Sequence, residues 1–463
     1  MQAIEQGRRS MASRERANKR LRSVAVCAAL FLATPSAAQV VETARRGAEG
    51  NPGSPPLLLG DVFAEVRARN PKAAAARSLA DAAGARVRPA GTLPDPEVQL
   101  GFMNYRLPGF RPMDPLGMVQ LQVMQMLPLG GKLPLSSRVA SYQAAAARER
   151  AADVTWELRT TSAMAFYELY AAEQGITIAI ATRRLVQDVA NIAQTMYEVG
   201  DGNQADLLRA QVEIARMTEE VERMDAMRSA AAAKLNALLD RSHDAPVSQA
   251  ALPPFPASLP SIDSLLGMAL RSRPMIRAGE EELAAMDAMA LRSRRELFPD
   301  LVVGVQYAQR SAGMGTEHMG SLMLGASIPI FARSRQLQWR EEADAMRAMS
   351  AADLNWMKAD TRGRIGEVLA RMNRARRLGD LYRRTVLPQA EAAVTSSLAA
   401  YRVGRIDFMN VLDSRMTVNR YRQELVTLQM EEGQAWAELE MLVGQELFDP
   451  STVHSATNGR NND

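Results

Sequence analysis

The amino-acid sequence predicts a mainly α-helical chain carrying four short membrane strands, two in each half of an internal duplication. Three observations predict it. The same landmarks return after about 204 residues, the hydrophobic period switches between 3.6 and 2 within each half, and proline is absent from Leu135 to Val199. A chain of 463 residues with 47% hydrophobic and 23% charged side chains can bury a large core or an extended interface, which excludes a disordered polymer.

The elements follow in order. Seven basic residues between Arg8 and Arg22 precede the apolar run Val24 to Ala33. Small residues around Ser36 and Ala38 then suit cleavage after Ala38. Basic, apolar, small is the order of an export signal, and the run is too short to span a bilayer as a helix. Residues 1–38 are therefore expected to be a signal peptide and 39–56 an N-terminal extension. The signal carries a net +5, so its loss from a total of +4 leaves about −1. The high isoelectric point thus belongs to the signal, and no nucleic-acid partner is expected. Cys27, the single cysteine, leaves with the signal, so the exported chain has no disulfide, thiolate ligand or acylated N-terminal cysteine.

The first repeat is expected at 57–252, a Pro-rich linker at 253–260, the second repeat at 261–446, and a flexible tail at 447–463. Tyr197-Glu-Val-Gly200 returns as Tyr401-Arg-Val-Gly404, Asn70-Pro71 as Arg273-Pro274, and Leu127–Lys132 (LPLGGK) as Ile328–Arg333 (IPIFAR). Strands are expected at about 97–104, 118–127, 300–308 and 319–328, because apolar and polar residues alternate there. Val98, Leu100 and Phe102 share a face, as do Val119, Leu121 and Val123. Leu322, Leu324, Ala326 and Ile328 face away from Ser321, Met323, Gly325 and Ser327.

The remaining sequence steps by threes and fours, as in Ile214, Met217, Val221 and Met224. The proline-free stretch makes a rod of roughly 100 Å at 1.5 Å per residue. Its second copy, about 335–403, is interrupted only by Gly363, Gly366, Gly379 and Pro388. Rods of that length imply a tube or a coiled coil.

The strands suit a bilayer crossing of about nine to eleven residues. Four cannot close a barrel, and lipid tolerates no open sheet edge. Three copies would supply twelve strands, with Gln, Ser and Gly toward a wet lumen and Val, Leu and Ile toward lipid.

Signal, duplicated strand–strand–long helix–turn–helix units and paired Tyr-x-Val-Gly turns resemble the TolC-like outer membrane efflux proteins over about residues 55–446. Gln125–Lys132 (QMLPLGGK) and Glu296–Asp300 (ELFPD) are most similar to members serving resistance–nodulation–division pumps that export metal ions. The resemblance implies a homotrimer whose twelve-stranded barrel in outer-membrane lipid continues into a periplasmic helical tunnel. A periplasmic adaptor and an inner-membrane pump are its implied partners, in a Gram-negative-type bacterium. The implied function is passive export, of metal ions here. Export of drugs or proteins and a non-pore periplasmic scaffold are the alternatives.

The resemblance also implies sites. Val199, Gly200, Val403 and Gly404 match the tip where an adaptor docks. Asp413 matches an aspartate of the periplasmic gate, the second ring position is Asn410, and Asp206 matches an acidic gate-link residue. The basic partner of that link falls on Ile406, with Arg405 one residue earlier. Simple turn and capping roles are the plain reading of the same residues.

No cofactor, metal site or catalytic set is expected. The three histidines, His243, His318 and His454, lack ligand spacing, and no phosphate-binding loop or nucleophile–base pair is present. Among the 27 methionines, Met103, Met113, Met118, Met124, Met126, Met314, Met319 and Met323 cluster around the strands. Thioethers are soft ligands, but flexible packing explains methionine equally well.

Overall fold

The computed structural model describes residues 55–113, 116–200, 202–312 and 315–448. The export signal, Cys27, most of the 39–56 extension, His454 and the tail beyond Phe448 lie outside the described residues. The first half contains α1 (Leu59–Arg69), α2 (Pro71–Ala85), α3 (Val87–Gly91), β1 (Glu97–Met103), β2 (Tyr105–Arg106), β3 (Arg111–Pro112), β4 (Met118–Pro128), α4 (Lys132–Glu198) and α5 (Gln204–Leu238). The second contains α6 (Ile262–Ser272), α7 (Pro274–Arg295), β5 (Asp300–Ala312), β6 (Gly315–Ser327), α8 (Gln336–Leu381), α9 (Leu387–Arg402) and α10 (Phe408–Val443). The chain is mainly helical with a sheet, as its periodicity predicts.

Local chemistry sets the element ends. Asn70 accepts from the Lys72 N–H at 2.9 Å, and Pro71 fills the first helical position, where no N–H is needed. The Asn70 amide also donates to the Leu238 carbonyl at 2.8 Å, tying the start of α2 to the end of α5. Gly363, Gly366 and Gly379 do not break α8. The irregularity lies at Tyr382–Val386, a π-turn closed by Leu387 N–H donating to the Tyr382 carbonyl. Pro388 follows; lacking an N–H and crowding the carbonyl four residues back, it cannot continue the tighter ladder.

Helix α4 is the spine, packing along α2, α5, α7 and α10. Phe166, Tyr167 and Leu169 meet Leu235 and α1 in one core cluster. Trp436, Leu439 and Leu442 meet Ile365, Val368 and Met372 in another. Burying each large side chain contributes roughly 1.5–3 kcal/mol. Gly433 sets how closely α10 approaches α4, because a Cβ there would stand 2.4 Å from the Tyr167 ring. The same interface buries Glu440, which takes Arg159 at 3.1 Å and the Leu447 N–H at 2.8 Å. Burial lifts the Glu440 carboxyl above its usual range, and Arg159 opposes the shift.

The main sheet is antiparallel, in the order β1-β4-β5-β6, so β1 and β6 are its edges. Its register aligns Val98, Val123, Val305 and Leu322 in one row, and Leu100, Leu121, Tyr307 and Gly320 in the next. Alternate rows place Gln99, Gln122, Gln306 and Ser321 on the other face. Gln306 donates to Gln120 there at 2.6 Å. On the apolar face, Leu322 is 70% and Leu324 76% exposed. Ile328, expected on the last strand, lies one residue past β6. A short β2–β3 ribbon in the loop after β1 is an addition that sequence periodicity did not suggest.

Candidate functional site: a sheet, its helix junctions and a two-hairpin tip

Apolar exposure defines the sheet as a site. Val98, Leu100, Phe102, Leu121, Val123, Val305, Tyr307, Leu322 and Leu324 stand exposed on one face. A patch of such side chains marks a face made for lipid or a partner rather than water.

The two motifs with the metal-pump likeness meet at the strand–helix junction. Gly130 and Gly131 both adopt left-handed backbone (φ 76° and 74°), which turns β4 sharply into α4. A Cβ at Gly130 would stand 2.9 Å from the Phe298 ring. The turn delivers Lys132, nearly buried, to Asp300 at 2.8 Å, Glu296 at 3.4 Å and the Phe298 carbonyl at 3.0 Å. The Lys132 ammonium therefore clamps the entry to β5 onto the exit from β4. Nothing in linear spacing reveals a partner so distant in the chain.

At the opposite ends of α4 and α9, two hairpins converge. Val186, Val189, Ala193, Ala210, Tyr401, Phe408, Val411 and Leu412 form one cluster that binds both hairpins. Gly200 and Gly404 take φ of 85° and 68°. Arg405 N–H donates to Ala400 and Gly404 N–H to Tyr401, the paired bonds of a helix ending in a left-handed glycine. Val199 and Val403 are 68% and 66% exposed at the turns. Nothing lies within 4 Å of a Cβ built on either glycine, so within one copy backbone conformation alone demands glycine there.

Asp206, in the first turn of α5, reaches Arg209 at 3.9 Å. Burial, and then the Asp206 charge, raise the Tyr401 phenol above its ordinary value. Arg405 is exposed and forms no ion pair among the described residues. Asp407 is the cap position of α10, but its side chain makes no capping bond. Asp413 and Asn410 are both exposed and share one face of α10, three residues apart. Asn410 accepts the Ser414 hydroxyl at 2.7 Å through its backbone carbonyl. Among the described residues the ion-pair partner of Asp206 is Arg209, one turn along its own helix, rather than Arg405. Tyr401, read from sequence only as a repeat marker, is the residue that reading missed.

An exposed apolar sheet on long paired helices with a two-hairpin tip defines a membrane channel subunit. The outer membrane efflux protein family model matches residues 62–241 and 265–445, and the chain belongs to that family of outer-membrane efflux channels. It is 23% identical over 321 residues to the cobalt-zinc-cadmium resistance protein CzcC of Cupriavidus metallidurans, covering 68% of this chain and 75% of that protein. Its fold resembles CusC (TM-score 0.72, 18% identity, 84% of this chain and 92% of that one). It also resembles VceC of Vibrio cholerae (TM-score 0.69, 18% identity, 84% and 97%).

Proposed function

We propose that three copies of this chain close β6 of each against β1 of the next, forming a twelve-stranded barrel in the outer membrane. The observation that carries the reading is the register. It gathers exposed Val, Leu, Phe and Tyr on one face and Gln, Met, Gly and Ser on the other, while leaving β1 and β6 as open edges. Lipid does not tolerate such edges, so closure by further copies satisfies them. Residues 57–252 and 261–446 are read as two copies of one unit joined by 253–260, and the twofold match of the family model supports this. Residues 1–38 direct export.

In this reading the helices continue the barrel as a periplasmic conduit, and the chain transports without catalysing a reaction. Val199, Gly200, Val403 and Gly404 receive a periplasmic adaptor, which links the conduit to an inner-membrane pump of the resistance–nodulation–division type. Three copies of Asp413, with Asn410 beside them, line the periplasmic gate, and Asp206 and Arg405 belong to the same gate region. The likeness to CzcC supports metal ions as cargo. Deleting the gene tests this. Cells should lose tolerance to cobalt, zinc or cadmium and regain it with the intact gene. Unchanged metal tolerance alongside new sensitivity to organic compounds would contradict the cargo.

A further inference from the structure

We propose that the row Glu97–Met124–Gly304–Met323 on the polar face of the sheet binds a soft monovalent cation, Ag(I) or Cu(I). The first observation is parity. The register places Met103, Met118, Met124, Met126, Met319 and Met323 all on the Gln-bearing face, and no strand methionine on the apolar one. Methionine used only as a flexible filler has no reason to avoid the face already rich in Val, Leu and Phe.

The second observation is convergence. Met124 and Met323 lie on β4 and β6, directly opposite Gly304 of the strand between them. A Cβ on Gly304 would stand 3.2 Å from Met124 Cγ and 3.3 Å from Met323 Cε. Both side chains therefore flank the glycine, Met124 with its Cγ and Met323 with its methyl, so two thioether side chains lie over one small residue. The Met323 sulfur already faces a polar group, the Gln122 amide at 3.9 Å. Glu97, paired with Met124 on the far side, adds negative charge to the row.

The donor class that the register gathers on this face is thioether. Thioethers prefer soft cations and leave hard divalent ions to oxygen and nitrogen ligands. They carry no proton, so the two sulfurs bind equally across neutral and mildly acidic pH, unlike His or Cys ligands. A pair of neutral donors holds such an ion loosely enough to release it again, and divalent cargo passes without binding there. Only the placement of this row in a lumen rests on the barrel reading.

The test uses detergent-solubilised full-length protein labelled with methyl-13C methionine, titrated with silver nitrate in chloride-free buffer. Single Met124→Leu and Met323→Leu variants assign the two methyl resonances. Both resonances should shift saturably with Ag(I) and stay still with Zn(II). The double variant should bind Ag(I) at least tenfold more weakly, and Gly304→Ala, which keeps both sulfurs but crowds them, should weaken it as well. Shifts confined to other methionines, or a double variant that binds as tightly as the native protein, would overturn the proposal. If the double variant fails to assemble, native protein decides by Ag(I) protection of Met124 and Met323 from peroxide oxidation. Absence of protection is the contrary result. Ag(I) binding by protein that remains monomeric would keep this site and sink the barrel, whereas trimers without binding would do the reverse.

Discussion

Leu324 and Ser327 lie three residues apart on β6 and on opposite faces of the sheet. Arginine at Leu324 should cost about 2–4 kcal/mol near the bilayer midplane. Ser327→Arg should be tolerated, because its side chain enters water. Trimer yield in outer-membrane fractions reads the difference, and equal yields would mean that the faces are assigned wrongly. At the tip, Asp413→Ala removes one negative charge per copy from the proposed gate. In planar bilayers it should lower both cation preference and block by a trivalent cation on the periplasmic side. Unaltered conductance and block would make Asp413 an ordinary surface residue of α10. The two-faced alternation was legible in the sequence, because strand side chains alternate strictly. The cross-strand row that seats Gly304 between two methionines was not, because register depends on pairing between distant segments.

Elements meet through contacts that linear spacing hides. QMLPLGGK and ELFPD read in sequence as separate signatures, yet Lys132 of one bridges Glu296 and Asp300 of the other. Lys132→Met removes the cation that Asp300 and Glu296 share and leaves the partly buried Asp300 without it, while Glu296 keeps Arg292 at 3.6 Å. It should destabilise the protein by about 1–3 kcal/mol, seen as a lower thermal midpoint. An unchanged midpoint would show that the clamp is dispensable. The paired hairpins were legible from Tyr-x-Val-Gly, whereas the apolar cluster that packs Ala210 of one with Tyr401 and Phe408 of the other was not, since it joins segments distant in sequence. Long helices were legible too, but the π-turn before Pro388 was not, because sequence marks a breaker without saying how the helix absorbs it. At the tip, Gly404→Glu places a charged side chain on a left-handed residue in open space. Export should be abolished while the protein still reaches the membrane, and undiminished metal resistance in cells carrying this variant would contradict adaptor docking there.

The whole molecule depends on how the sheet ends. In one copy, β1 and β6 are edges and the apolar face stands bare, an arrangement that neither water nor lipid accommodates. Alternation along the sequence marks the four strands, and the cost of an open edge in lipid calls for other copies. The decisive measurement is cysteine cross-linking in membranes, using a chain whose single native cysteine, Cys27, lies far in sequence from both edge strands and is replaced by alanine. One cysteine replaces Val98, Leu100 or Phe102 on β1, and a second replaces Gly320, Leu322 or Leu324 on β6. Neighbouring strands bring paired Cα atoms to about 4.5–5.5 Å, within disulfide reach. The barrel account predicts that at least one same-face pairing yields a covalent trimer, while single-cysteine chains yield none. Monomers from every pairing, in protein that has reached the outer membrane, would contradict it.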